Sequence, residues 1–146
     1  YKRQHEWRVY VCSGGGRDFM RVIAEDTWGI FQENVIGSAP EWSYRHGQLV
    51  RDNAMRGELA LGSGKPSHLF ARTGRLPKFA AGTGDVDIEM LEVADFALVI
   101  VHDDADREYA VTSGAERILE VAAAKGWQLV SMKNDWNDVY VPGASA

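Results

Sequence analysis

Cysteine is nearly absent: Cys12 stands alone among 146 residues, so the chain forms no internal disulfide and holds no cysteine-rich zinc set. That usage points to a reducing compartment, by default the cytoplasm. Long apolar runs are missing too, and nothing approaches the roughly 18 to 20 residues of a membrane span. Positive charge is the minority, with 16 Lys and Arg against 21 Asp and Glu, a net charge of −5. One basic cluster, Lys2, Arg3 and Arg8, stands at the start, and the remaining cations are scattered among acids. A phosphate backbone needs clustered cations, so nucleic-acid binding is set aside along with membrane insertion. Internal repeats and low-complexity tracts are also lacking.

What is present is 45% hydrophobic and 25% charged sequence. That composition excludes a disordered polymer and predicts a single domain over residues 1–146 with one core. Tyr1 in place of Met, with no apolar leader after it, reads as a chain whose natural start is absent or disordered.

Residues 7–12 are rich in aromatic and β-branched types and predict a strand, stopped by Ser13 and three glycines. A helix over 17–28 follows, with Met20, Ile23, Ala24 and Thr27 at helical spacing and Gly29 as its C-terminal cap. Residues 34–38 read as a short strand, and 41–51 as a hairpin turning at His46-Gly47. Gly62 to Pro66 forms a turn, with Pro66 as first residue of a short helix that ends at Gly74.

Residues 76–81 then give a strand, 85–94 a helix, and 96–101 a continuous apolar strand buried on both faces. Ser113 and Glu116 have the spacing of a capping box for a helix closed by Gly126. A last strand spans 127–131, and the tail 142–146 frays. Strands alternating with helices predict an α/β domain with a mostly parallel sheet and helices on both faces.

In such a sheet the turns at the carboxyl ends of strands make the ligand crevice. Ser13-Gly14-Gly15-Gly16 before a helix offers backbone N–H groups and a hydroxyl to an anion, or else permits a tight turn with Ser13 as a cap. Cys12 and Arg17 are one residue too close for a cysteine-phosphatase loop. Asp85, Asp87 and Glu89 crowd a helix start, where they hold a hard divalent cation or simply cap the helix and complement its dipole. Lys65 has the wrong sign for its place at a helix start, which an anion nearby would explain. His102 with Asp103, Asp104 and Asp106 has metal-ligating chemistry, although such loops are more often solvated. His46 and His68 read as surface or satisfied polar residues.

A strand followed by Ser13 and glycines, Lys65 before a helix, and residues 82–90, Gly-Thr-Gly-Asp-Val-Asp-Ile-Glu-Met, come in an order that resembles a known family. They are similar to the second, third and fourth motifs of the haloacid dehalogenase superfamily, most closely its phosphoserine-phosphatase-like branch. The resemblance runs from Val9 to about Tyr140. It implies a Rossmann-like three-layer sandwich in which Ser13, Gly14, Gly15 and Lys65 bind the transferring phosphoryl group. It also implies that Asp87 helps to hold Mg²⁺, with Mn²⁺ or Zn²⁺ as substitutes, and that the substrate is a phosphorylated small molecule.

Two departures accompany it. The superfamily's first motif, a strand ending in Asp-x-Asp that supplies the nucleophile, has no match in residues 1–12. Thr83 stands at the first acidic position of the fourth motif, which leaves Asp85 as a displaced substitute. In the superfamily the missing strand is central, between those ending here at Cys12 and Ala81. Its loss leaves buried backbone groups, each costing about one to a few kcal/mol when unsatisfied. Direct pairing of the flanking strands or a homodimer repairs that gap, and the homodimer is the expectation.

Two functions follow. The first is a metal-dependent phosphoester hydrolase, modest and promiscuous, with Ser13, Lys65 and Asp87 as the catalytic set and Asp85 and Asp87 on the metal. The second is a non-catalytic remnant that binds phosphate or a partner. A nucleotide-binding domain ranks last, because the Ser13 turn lacks both the dinucleotide glycine spacing and the Walker lysine pattern.

Overall fold

Residues 11 to 16 join β-formers to three glycines, and the structure, a computed structural model that describes residues 7–108 and 113–138, runs one strand through all of them. The chain divides into two compact units, Tyr1–Leu76 and Pro77–Ala146. Its architecture is mixed α/β, with two short parallel sheets and one antiparallel hairpin. None of the helices described is long and apolar enough to cross a membrane.

In the first unit, Val11–Gly16 (β1) pairs in parallel with Val35–Ser38 (β2), from Val11 opposite Val35 to Gly16 opposite Ser38. The strand expected to stop at Cys12 therefore continues. Glycines carry no side chain to clash, so the backbone bulges after Ser13 and rejoins the ladder at Gly16. Arg17–Trp28 (α1) follows and ends as its sequence predicts, with Gly29 left-handed at φ 61°. Ala24, Ile30 and Val35 form a small core against which Val9, Val11 and Met20 pack.

Pro40–Arg45 (β3) and Gln48–Met55 (β4) make the hairpin, turned through His46 and Gly47, both at positive φ. Gly64–Thr73 (α2) ends at Gly74 but begins before Pro66, which is its third residue. The reason is steric: a Cβ on Gly64 would stand 1.8 Å from the Leu59 carbonyl oxygen, so glycine alone lets the helix start there. Pro66 stays in the first turn, where its missing N–H has no partner to lose.

In the second unit, Phe79–Gly82 (β5), Phe96–Val101 (β6) and Gln128–Ser131 (β7) form a parallel sheet in the order β5-β6-β7. The helix expected over 85–94 is a 3-10 turn, Asp85–Asp87, followed by the short Ile88–Glu92 (α3). Glu116–Lys125 (α4) closes at Gly126, φ 67°. Ile88, Leu91, Val99 and Ile118 are the large side chains of this core.

Two expectations fail here. Ser113 does not cap α4; Ala115 holds the cap position, and the Glu116 carboxylate accepts the Gly114 N–H at 2.9 Å. Strand β6 is not buried on both faces either. Ala97 and Val99 are buried, whereas Phe96 is half-exposed and stacks on Phe79 with centroids 5.7 Å apart. The tail 142–146 and the pair Lys2 and Arg3 lie outside the described residues.

Candidate functional site

β1 carries Ser13 and the glycines to its carboxyl end. The Ser13 hydroxyl accepts the Gly15 N–H at 3.1 Å, so it folds its own turn and engages one of the amides available there. Ser38, at the end of β2, fixes the turn from the other side. Its hydroxyl donates to the Gly14 carbonyl at 2.9 Å and accepts the Ala60 N–H at 3.0 Å.

Lys65, second residue of α2, is 4% exposed. Its ammonium donates to the Cys12 carbonyl at 2.8 Å, which brings the cation to the residue before Ser13 across 53 positions of sequence. Burial of an ammonium is costly unless its protons find acceptors, and a helix N-terminus is the wrong end for it. Ser13, Gly14 and Gly15 thus lie within β1, and Lys65 reaches the carbonyl of the residue that precedes them. Backbone donors, a hydroxyl and a nearly buried cation are the groups that stabilise a phosphoryl anion.

In the second unit the Asp87 carboxylate accepts the N–H groups of Thr83 at 2.9 Å and Gly84 at 3.2 Å. This ties down the turn that follows β5. The close approach requires Gly82, where a Cβ would lie 2.6 Å from that of Asp87. Asp85 does not cap the helix that follows it. Its Oδ1 accepts the Ile118 N–H at 2.8 Å, so it caps the first turn of α4, while its own N–H donates to the Gly114 carbonyl at 2.7 Å.

The acidic loop after β6 is not merely solvated. Asp103 accepts the Ser131 hydroxyl at 2.7 Å and the Lys133 N–H at 3.0 Å. Asp104, 3% exposed, pairs with Arg107, whose guanidinium also donates to the carbonyls of Met132, Lys133, Trp136 and Asn137. The Ser131 hydroxyl holds the Asp103 carboxyl below its ordinary range, and the Arg107 hydrogen bond does so for Asp104. His102 Nδ1 meets Glu108 at 2.8 Å, and His68 Nε2 meets the Glu58 carbonyl at 2.7 Å.

Among the described residues, no three His, Cys, Asp or Glu side chains gather as a cation cage. Asp85 and Asp87 each give a carboxylate oxygen to backbone N–H groups. Ser38 is the residue that sequence reasoning missed. Its signal was the small pair Gly37-Ser38 ending a strand, and its partners Gly14 and Ala60 are remote in sequence. No protein-family model matches the chain, and no curated protein matches it.

Proposed function

We propose that the chain is a divalent-metal-dependent phosphoester hydrolase of modest, promiscuous activity, on a Rossmann-like, haloacid-dehalogenase-like scaffold without the central first strand. The observation that carries the reading is the Lys65 ammonium, nearly buried and fastened to the carbonyl that precedes Ser13. Parallel strands support it, as do the positions of β1 and β5, each the terminal strand of its own sheet.

In the first unit, Lys65 neutralises the phosphoryl group of a small phosphorylated substrate, and the Ser13 turn orients it. In the second, Asp85 and Asp87 would hold Mg²⁺, or Mn²⁺ or Zn²⁺ in its place. Such an ion, when bound, supplies a Lewis acid and an activated water. The sheet edges at β1 and β5 favour a homodimer, and the lone thiol of Cys12 suits the cytoplasm.

A second reading, a non-catalytic phosphate- or partner-binding protein, is favoured by one observation. Asp85 and Asp87 both give oxygens to backbone N–H groups, a structural use of carboxylates. Hydrolysis of chromogenic phosphate mono-, di- and triesters, with EDTA and then metal add-back, separates the two. Activity that follows the metal supports the hydrolase. Phosphate binding by folded protein without turnover under Mg²⁺, Mn²⁺ or Zn²⁺ supports the second reading, and neither turnover nor phosphate binding overturns the hydrolase and the phosphate-binding form of the second reading.

A further inference from the structure

Four arginines of the first unit line one cleft of about 450 Å³: Arg17 and Arg21 from α1, Arg56 after β4, and Arg72 from α2. Its floor is the buried pair Val35 and Ile36 of β2, and Ala71 of α2 is an exposed apolar residue in its wall. None of the lining residues is Ser13, Gly14, Gly15 or Lys65.

Positive charge predominates. Asp18 pairs with Arg17 at 2.8 Å and lies 3.6 Å from Arg21, and Glu58 is the one carboxylate residue in the wall. Arg72 donates through Nε to the Glu33 carbonyl at 2.7 Å, which turns that guanidinium toward the backbone and leaves its charge unneutralised by that bond. Arg21 also donates through Nη2 to the Val35 carbonyl at 3.5 Å. Its Nε–H is buried and bonds no described residue, and burial, followed by the charges of Arg17 and Arg72, pushes its pKa down. A folded chain keeps like charges together at a half-buried site when an anion answers them.

We infer that this cleft is a second ligand site, for a small organic phosphomonoester. The volume equals on the order of fifteen waters at about 30 Å³ each, more than one tetrahedral anion fills. Ala71, which is exposed, and the aliphatic stems of the arginines then receive the organic part, as in ordinary small-molecule pockets. The phosphate carries about −1.5 to −2 at pH 7, which matches several guanidiniums better than a single carboxylate does. The inference does not rest on the hydrolase reading, because the two sites share no residue.

The test is an NMR titration of the ¹⁵N-labelled full chain in phosphate-free buffer, with glucose 6-phosphate as probe and glucose as its uncharged counterpart. Saturable shifts of the Arg17 and Arg21 Nε–H signals and of the Ile36 and Gly37 amides are expected with glucose 6-phosphate and not with glucose. Arg56→Gln, at an exposed residue whose loss leaves the fold intact, should weaken this response about tenfold, as should Arg72→Gln. Ser13→Ala should leave it in place. Shifts confined to residues 13–15, equal shifts with glucose, or unchanged affinity in the Arg56→Gln/Arg72→Gln double variant would each overturn the cleft site, the first of them without touching the Ser13 reading.

Discussion

The ammonium of Lys65 and the carbonyl of Cys12 meet at 2.8 Å, so the start of α2 and the second residue of β1, distant in sequence, are joined by one hydrogen bond. Lys65→Met keeps the length of the side chain and removes the charge. Phosphoester turnover should fall about 100-fold, as it does when one preorganised electrostatic group is lost. Stability should change little, because relief of a buried charge offsets the loss of the hydrogen bond to Cys12, about 1–3 kcal/mol. Steady-state kinetics and a urea melt on the same sample check both.

Ser38 is 5% exposed and bridges Gly14 to Ala60. Ser38→Ala leaves the buried Ala60 N–H without its acceptor, and a loss of about 1–3 kcal/mol is expected in denaturant unfolding. Ser38→Thr, which retains the hydroxyl, should recover part of that loss. Equal destabilisation by both variants would mean that space, not the hydrogen bond, sets the effect.

Asp87 has a structural use and a proposed metal use, and Asn separates them. The amide oxygen of Asp87→Asn can still accept the Thr83 and Gly84 N–H groups, so its melting temperature should stay within a few degrees of wild type. Metal-stimulated turnover should drop at least about tenfold, because the carboxylate charge is gone. Asp87→Ala should lose both. Full metal-dependent activity in Asp87→Asn would remove Asp87 from the metal.

The Asp104 carboxyl is held below its ordinary value of 3.8 by Arg107, so the sign of its contribution is fixed. The stabilisation is complete above the unfolded value, near pH 4, and fades as the pH falls through the depressed folded value. Arg107→Lys keeps a charge but loses the planar fork that reaches four carbonyls. Faster amide exchange across residues 132–137 is expected, with the acid-side transition moved to higher pH.

Strands β1 and β5 are terminal in their sheets. A homodimer that covers those edges should sediment at twice the chain mass at micromolar concentration. A monomeric mass there would refute it.

Local chemistry was the legible part of this sequence. Gly29, Gly74 and Gly126 ended their helices as expected because a left-handed cap is decided by a single residue without a Cβ. The turn at His46-Gly47 and the bounds of β6, a continuous apolar run, were readable from equally local signals. Strand β1 was misjudged where glycine has two meanings, since it can end a strand or let it bulge. Asp85 offers a metal ligand or a cap for its own helix by local pattern, and its carboxylate reaches Ile118, 33 positions away. The grip of Arg107 on residues 132–137 and the bond from Lys65 to Cys12 are equally remote pairings, which no local pattern encodes.

The hairpin reaches back to the charged end of α1: the Trp42 indole N–H donates at 3.2 Å to Asp18, the carboxylate that also pairs with Arg17. A fluorophore is thereby wired to the arginine cluster through one shared side chain. Any redistribution of charge there alters the electric field across the ring, so the emission of Trp42, isolated by difference against Trp42→Phe, is a built-in optical gauge of the cleft.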